Sequence, residues 1–322
     1  MLESPHYLRD STGVPADPLS DTLALMDARC VISGGFTAGG DWALRFPPPG
    51  MLKITAVVRG GMSVSLDGLP EFTRLGPGDV AVFDGSRAFV VASDPSVEPA
   101  DAATLFADTS GSMIRYGGGE DAVFVGGHIE LGRAGEELLL HALPPLLCVR
   151  AGAEEAPVMR WLLDQLLREL TAERAGADFA ADQLAQLMFV QVLRAYLADA
   201  DALPAGRLRA LADERIAPAL RLMHADPGRP WQLEELARAA AMSRTTFSER
   251  FRAVAGVPPL TYLLDWRMSL ARRALRDGET SVSALAQRVG YTSESAFSNA
   301  FKRTTGVAPR RYRDVARAAL TG

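Results

Sequence analysis

Groups able to do metal or thiol chemistry are few in this sequence and poorly spaced for it. The histidines are His6, His128, His141 and His224, scattered with no ligand spacing. Cys30 and Cys148 stand 118 positions apart; two thiols make neither a disulfide framework nor a Cys-rich zinc site. They read as buried packing, with redox sensing as the sharper alternative. Different chemistry is carried by two polar rows near the C-terminus: Arg244, Thr245, Ser248, Glu249 and Arg252, then Glu294, Ser295, Ser298, Asn299 and Lys302. Asparagine can pair bidentately with adenine, glutamate can accept from the cytosine amino group, and Arg or Lys can neutralise phosphates. No cofactor is implied.

Both rows lie in an internal repeat. LARAAAMSRTTFSERFRAVAGVPPLTY starts at Leu236 and LAQRVGYTSESAFSNAFKRTTGVAPRRY at Leu285. Phe247 and Phe297, Phe251 and Phe301, Gly256 and Gly306, Pro259 and Pro309, Tyr262 and Tyr312 are each 50 residues apart, whereas Leu236 and Leu285 are 49 apart. The extra residue of the second copy therefore falls in the turn. In each copy a short helix (233–240; 282–289) buries a Leu-Ala pair. A tight turn follows, with Ser243 and Thr292 as expected N-caps. The next helix stacks Phe at i and i+4 on one face and stops at Gly256 or Gly306. Two helices across such a turn predict a helix-turn-helix whose second helix suits the major groove. Leu236, Phe247, Phe251, Gly256, Leu285, Phe297, Phe301 and Gly306 are its expected core and stop positions. A helix from Pro259 to Arg276, roughly 25 Å long, joins the copies. That strut lets the two readers reach groove segments about 34 Å apart.

Charge follows the same division. The 322 residues carry 34 basic and 39 acidic side chains, net −5. Residues 1–220 hold 17 basic and 30 acidic groups, and residues 221–322 hold 17 and 9. A C-terminal module of net +8 thus follows a domain of net −13, which suggests a nucleic-acid surface. Only Lys53 and Lys302 are lysines, so arginine abundance by itself reflects composition bias.

From Thr22 to about Leu147, short runs (WALRF, ITAVVRG, MSVSLDG, DVAVFDG, FVVAS) alternate with Gly, Pro and Asp turns. This predicts a small barrel or jelly roll, with Trp42–Phe46 and interior aliphatics available to line an apolar pocket and 111–120 as an exposed loop. From Pro157 the period becomes helical: Trp161, Leu162, Leu163, Leu166, Leu167 and Leu170 form one stripe, and a second helix covers about 180–197. This hairpin has an apolar stripe wide enough both to pack on the barrel and to dimerise. Residues 201–215 read as a linker. With 48% hydrophobic and 23% charged residues the chain can bury a core. Its first residues lack a signal-peptide pattern, and no run is apolar enough to span a membrane. A soluble cytoplasmic protein is expected.

The markers AMS…F…RF…G, GYTSES-AFSNAFKR-TTG-VAP-RRYR and the helix between them resemble the C-terminal domain of AraC/XylS-type transcription regulators, over 216–314. Upstream, WALRFPPPG, RLGPGDVAVFDG and HALPPLLCVRA are similar to the cupin-like sensor domain of many such regulators. The resemblance implies an α+β organisation: a cupin-like barrel at 1–150, a helical hairpin at 151–200, the linker, a double helix-turn-helix at 216–314 and a tail at 315–322. It places Thr245, Ser248, Glu249, Glu294, Ser295 and Asn299 at base-facing positions; Arg244, Arg252, Lys302, Arg303, Arg310 and Arg311 become candidates for phosphate contact. The implied partner is double-stranded DNA, with RNA polymerase, a small-molecule effector and a second copy of the chain as further ones. Trp231, Trp266, Tyr262 and Tyr312 are assigned to packing. Metal-binding cupins hold their ion on two or three His and one Glu. Here Met51–Glu71 contains no His, and Phe89 stands where the motif would end in His, so a metal-dependent cupin enzyme is the disfavoured rival and His128 and His141 are structural or pocket-lining. A constitutive DNA binder whose barrel only dimerises is the other alternative.

Overall fold

The computed structural model describes residues 17–320 except 70, 108–112, 133–134, 137–138, 140–141, 155, 173, 201–202 and 279. His6 and His141 lie outside the described residues. The chain divides into two compact units, one of them Asp27–Asp199; the other joins the N-terminal helix α1 (Pro18–Met26) to everything from Ala200 onward.

Eleven described strands build the first unit: β1 (Arg29–Gly39), β2 (Ala43–Phe46), β3 (Leu52–Arg59), β4 (Met62–Leu66), β5 (Thr73–Leu75), β6 (Val80–Phe83), β7 (Phe89–Ala92), β8 (Ala100–Asp101), β9 (Met113–Gly117), β10 (Ala122–Glu130) and β11 (Leu146–Val149). Among the described residues they form two sheets, β11-β6-β3-β10-β1-β9 and β5-β4-β7-β2-β8, and no closed barrel. Alternation sends every second side chain inward. Phe36, Val57 and Phe124 of the larger sheet thus share one core with Leu44, Val64 and Val91 of the smaller. The segment 111–120, read above as an exposed loop, instead contains β9, which runs parallel to β1 with Gly35 opposite Met113. Its glycines masked a strand that anchors in the core through Ile114, 8% exposed, with Tyr116 packed against the same core. Asp79 closes the turn before β6. Its carboxylate accepts from Gly76 N (2.9 Å) and Ala151 N (2.7 Å) and pairs with Arg150 (3.1 Å), tying that turn to the end of β11.

Helices α2 (Ala102–Ala107), α3 (Ala156–Thr171) and α4 (Ala177–Ala198) also belong to this unit. Leu162, Leu163 and Leu166 of α3 are buried, as are Met188, Phe189 and Val192 of α4. The side chain of Gln186 accepts from Cys30 N at 3.0 Å, and Arg29 pairs with Asp182 at 3.2 Å, which seats α4 on β1.

In the second unit the order is α5 (Arg207–Ala212), α6 (Ala217–Ala225), α7 (Leu233–Ala239), α8 (Arg244–Ala255), α9 (Pro259–Asp277), α10 (Val282–Arg288), α11 (Glu294–Thr305) and α12 (Pro309–Leu320). Within the expected linker, the described residues 203–215 are no free tether. Leu203 and Leu208 are buried, α5 packs on α8, and Gly206 N donates to Val254 O at 2.9 Å. Of the polar residues that suggested a linker, Arg207 lies over the rings of Tyr262 and Trp266 and Asp213 is buried, while Glu214 and Arg215 are exposed.

Candidate nucleic-acid interface and an apolar cavity

The repeat of the sequence is a repeat of packing. Phe247 and Phe251 meet at 5.5 Å, and Phe251 meets Tyr262 at 5.5 Å edge-on. Phe297 and Phe301 meet at 5.6 Å, and Phe301 meets Tyr312 at 5.5 Å edge-on. Leu236, Phe247 and Phe251 sit in one core, and Leu285, Phe297 and Phe301 in another. Helix α9 gives Tyr262 and Leu263 to the first core and Met268, Ala271 and Leu275 to the second. Its 19 residues span roughly 28 Å at 1.5 Å per residue. Gly256 and Gly306, at φ 75° and 80°, end the two second helices in the left-handed conformation that glycine adopts without strain.

Ser243 caps α8, accepting from Thr246 N at 3.2 Å. In the second copy the cap is Ser293, which accepts from Ala296 N at 3.1 Å, and not Thr292. The 50-residue offset that relates the phenylalanines also relates Ser243 to Ser293, so the extra residue lies before the cap. In that turn Gly290, at φ 84°, lies directly against the backbone oxygen of Gly228, where any side chain would collide.

With the phenylalanines inward, the polar rows face out. Arg244, Thr245, Glu249, Arg252, Ser295, Asn299 and Lys302 are exposed; Ser248, Glu294 and Ser298 are partly buried. Arg303, Arg310 and Arg311 are exposed beside the second row. Two of the cations already have carboxylate partners: Arg244 pairs with Glu234 (3.0 Å) and Arg310 with Glu294 (3.1 Å). Arg252, Lys302, Arg303 and Arg311 carry no ion pair among the described residues.

Two features behind this face gave no signal in the sequence. Asp213 is almost fully buried and binds Arg250 of α8 through Nη2 (2.7 Å) and Nε (3.3 Å), while accepting from Arg215 N and Ile216 N. His224 of α6 is buried on Trp266 with ring centres 3.9 Å apart and reaches the Tyr262 hydroxyl at 3.0 Å through Nε2. Its Nδ1 approaches Asp21 of α1 at 3.4 Å, an electrostatic contact short of a good hydrogen bond. Burial holds the imidazole below its ordinary pKa, the Arg207 guanidinium adds to this, and Asp21 opposes it. Folded, His224 stays neutral where an unfolded chain would take up a proton. Its contribution to stability is therefore present above about pH 6.5 and is lost as pH falls through that value. Below it, the unfolding free energy should drop by up to about 1.4 kcal/mol per pH unit more in the natural protein than in His224→Leu, measured by denaturant titration. Parallel pH profiles for the two proteins would remove His224 from this role.

The first unit holds a cavity of about 400 Å³ between its sheets. Phe36, Phe46, Phe83, Phe89 and Phe124 wall it, with Phe89 stacked against Phe46 at 4.8 Å and Phe83 at 4.4 Å. Of the segment expected to line a pocket, Phe46 does so, while Trp42 sits in the core against Phe36 and Phe124. Ser33, Lys53 and Thr55 are the lining residues with side chains able to donate a hydrogen bond. His128 is partly buried and meets Ser33 (3.2 Å) and Glu130 (3.5 Å). Burial pushes the Cys30 thiol up to about 12 and raises that of Cys148 as well; thiols so held are poor nucleophiles at neutral pH.

Two helix-turn-helix units on one strut, their outer helices polar and cationic, define a DNA-reading module. Residues 17–198 match the family described as Cupin, and residues 236–314 match a helix-turn-helix domain family. A putative AraC-like transcription regulator of Streptomyces lividans is 41% identical over 297 residues, covering 92% of this chain and 98% of that protein. The HTH-type transcriptional regulator AlkR of Acinetobacter baylyi is 29% identical over 286 residues, 85% of this chain and 91% of its own. A crystal structure of the DNA-binding domain of AdpA in complex with a target DNA is 34% identical, covers 33% of this chain and 96% of that domain, and has a TM-score of 0.32. The chain belongs to the AraC-type transcription regulators that carry an N-terminal cupin-like domain. It is a DNA-binding transcription regulator, and the relatives it matches are named as transcription regulators. No described helix is long and apolar enough to cross a membrane.

Proposed function

We propose that this regulator reads a long, asymmetric DNA site in the cytoplasm as a homodimer, and that a small-molecule effector in the cavity alters the reading. Thr245, Ser248 and Glu249 face bases from α8, and Glu294, Ser295 and Asn299 from α11. Arg252, Lys302, Arg303 and Arg311 neutralise phosphates; Arg244 and Arg310 do so after leaving Glu234 and Glu294. RNA polymerase is the partner that would act on the bound promoter. The observation that carries this reading is the outward row of each second helix, opposite its buried phenylalanines.

Footprinting on the chain's own upstream region and across its genome tests it, and absence of any sequence-specific footprint would sink it. Asn299→Ala should relax specificity at one or two base pairs, at a cost of about 1–3 kcal/mol on the preferred sequence. Arg311→Ala should weaken binding to all sequences alike and lower the salt slope by about one. Variants that behaved the other way round would reverse the two assignments.

Ser33–Phe36 of β1 line the cavity, and the chain runs from α1 into β1 through Asp27 and Ala28. Helix α1 meets α6 and α9 of the DNA reader, where Asp21 faces His224. A shift of β1 on filling the cavity therefore pulls on a helix seated against the reader. Asp21→Ala should leave DNA binding and effector binding in place and weaken their mutual dependence. Unchanged coupling would discard α1 as the link. Val158 and Trp161 stand three residues apart on α3, 43% and 56% exposed, and suit a dimer contact. Trp161→Asp should yield a monomer by light scattering, and a dimer that survives it would move the interface elsewhere.

A further inference from the structure

Lys53 is one of only two lysines among 34 basic residues, and it lies in the wall of the apolar cavity. Its register partners are Phe83 on β6 and His128 on β10, so the three side chains share one sheet face. That is the inner face, because Phe83 belongs to the core and Val57 does so four residues further along β3. The Lys53 side chain has no ion pair or hydrogen bond among the described residues. Glu130, the next residue on that face of β10 after His128, meets His128 at 3.5 Å and is more than half exposed. A half-buried cation in the wall of an apolar cavity without a counter-ion carries a desolvation cost, and an anion delivered into the same space offsets that cost. Desolvation already draws the Lys53 ammonium below its ordinary pKa.

The remaining wall offers shape. Gly126 stands opposite Thr55 and Gly34 in the register of the sheet and lines the cavity. A Cβ placed there would meet only the Ile54 oxygen, at 3.6 Å. The absent side chain is part of the empty volume.

We infer that the cavity takes an apolar monocarboxylate, its body held among the phenylalanines and its carboxylate paired with Lys53. This rests on the reading of the cavity as the effector site. About 400 Å³ lies within the range of small-molecule pockets. One cation beside two hydroxyls, on an otherwise apolar wall, selects a single compact anionic head rather than a polyanion or a sugar.

The test uses the full-length protein and four probes, decanoate and 2-naphthoate with their neutral counterparts 1-decanol and 2-naphthalenemethanol, by calorimetry. The acids should bind at least about tenfold more tightly than the alcohols, since a charge-assisted hydrogen bond to a half-buried ammonium is worth that factor or more. Lys53→Met should bring the acids down to the alcohols while the alcohols bind as before, which also shows that the variant folds. Lys53→Arg should keep the preference, and Gly126→Leu should lose all four probes while DNA binding persists. Alcohols binding as well as acids to the natural protein, or an acid preference surviving in Lys53→Met, would overturn the inference and leave the cavity as an effector site. Binding of none of the four would overturn the effector-site reading together with it.

Discussion

Phe297→Ala is expected to cost the second unit about 3–5 kcal/mol and to abolish sequence-specific DNA binding. Phe297 is fully buried, with Tyr291 and Phe301 both 5.6 Å from it, ring centre to ring centre. It is the inward anchor of α11, so its loss leaves a void that the helix can fill only by moving, and Ser295 and Asn299 move with it. The cost is a large share of the roughly 5–15 kcal/mol by which domains are stable. Guanidinium unfolding read alongside DNA affinity checks it. Asn299→Ala, on the outer face of the same helix, should leave stability within about 0.5 kcal/mol. A loss below about 1 kcal/mol for Phe297→Ala would mean that α11 is not anchored by that ring.

Asp213→Ala should cost about 3 kcal/mol. One carboxylate there serves two ends: it takes the backbone N–H groups of Arg215 and Ile216 where the chain turns into α6, and it holds Arg250 on the recognition helix α8. Removing it strands two backbone donors and a guanidinium that is only about a third exposed. The estimate sits at the low end for a buried pair because water reaches that guanidinium. Arg250→Ala combined with Asp213→Ala should cost less than the sum of the two, since each single change leaves a partner unpaired. Strict additivity in a double-mutant cycle would show that the two side chains do not cooperate.

Legibility in the sequence tracked the range of the interactions. The caps, the Phe pair at i and i+4 and the stopping glycine all act within one helix, so each copy of the repeat announces itself in a dozen residues. Comparison of the two copies then fixes which side faces inward. Even there the second cap was misplaced by one residue, because Thr292 and Ser293 are chemically equivalent and only the backbone decides between them. The strand β9 was missed for a related reason: a glycine-rich segment pairs with β1 some 80 positions away, and nothing local records that pairing. Glycine and proline likewise made 201–215 look like a tether, whereas Ala210 lies in the reader's first core and Gly206 N donates to Val254 O of α8.

By itself the sequence determined a duplicated helix-turn-helix, the charge division between −13 and +8, and a β-rich domain without the histidines of a metal-binding cupin. Each of these depends on residue type and short spacing. Tertiary structure alone decided that Lys53 lines an apolar cavity, that Asp213 holds Arg250, and that α1 joins the DNA-reading unit through Asp21 and His224. Those three join residues from about 30 to more than 200 positions apart, or from different strands of a sheet. Such contacts are set by how helices and sheets bury their apolar faces together, and no periodicity along the chain encodes that.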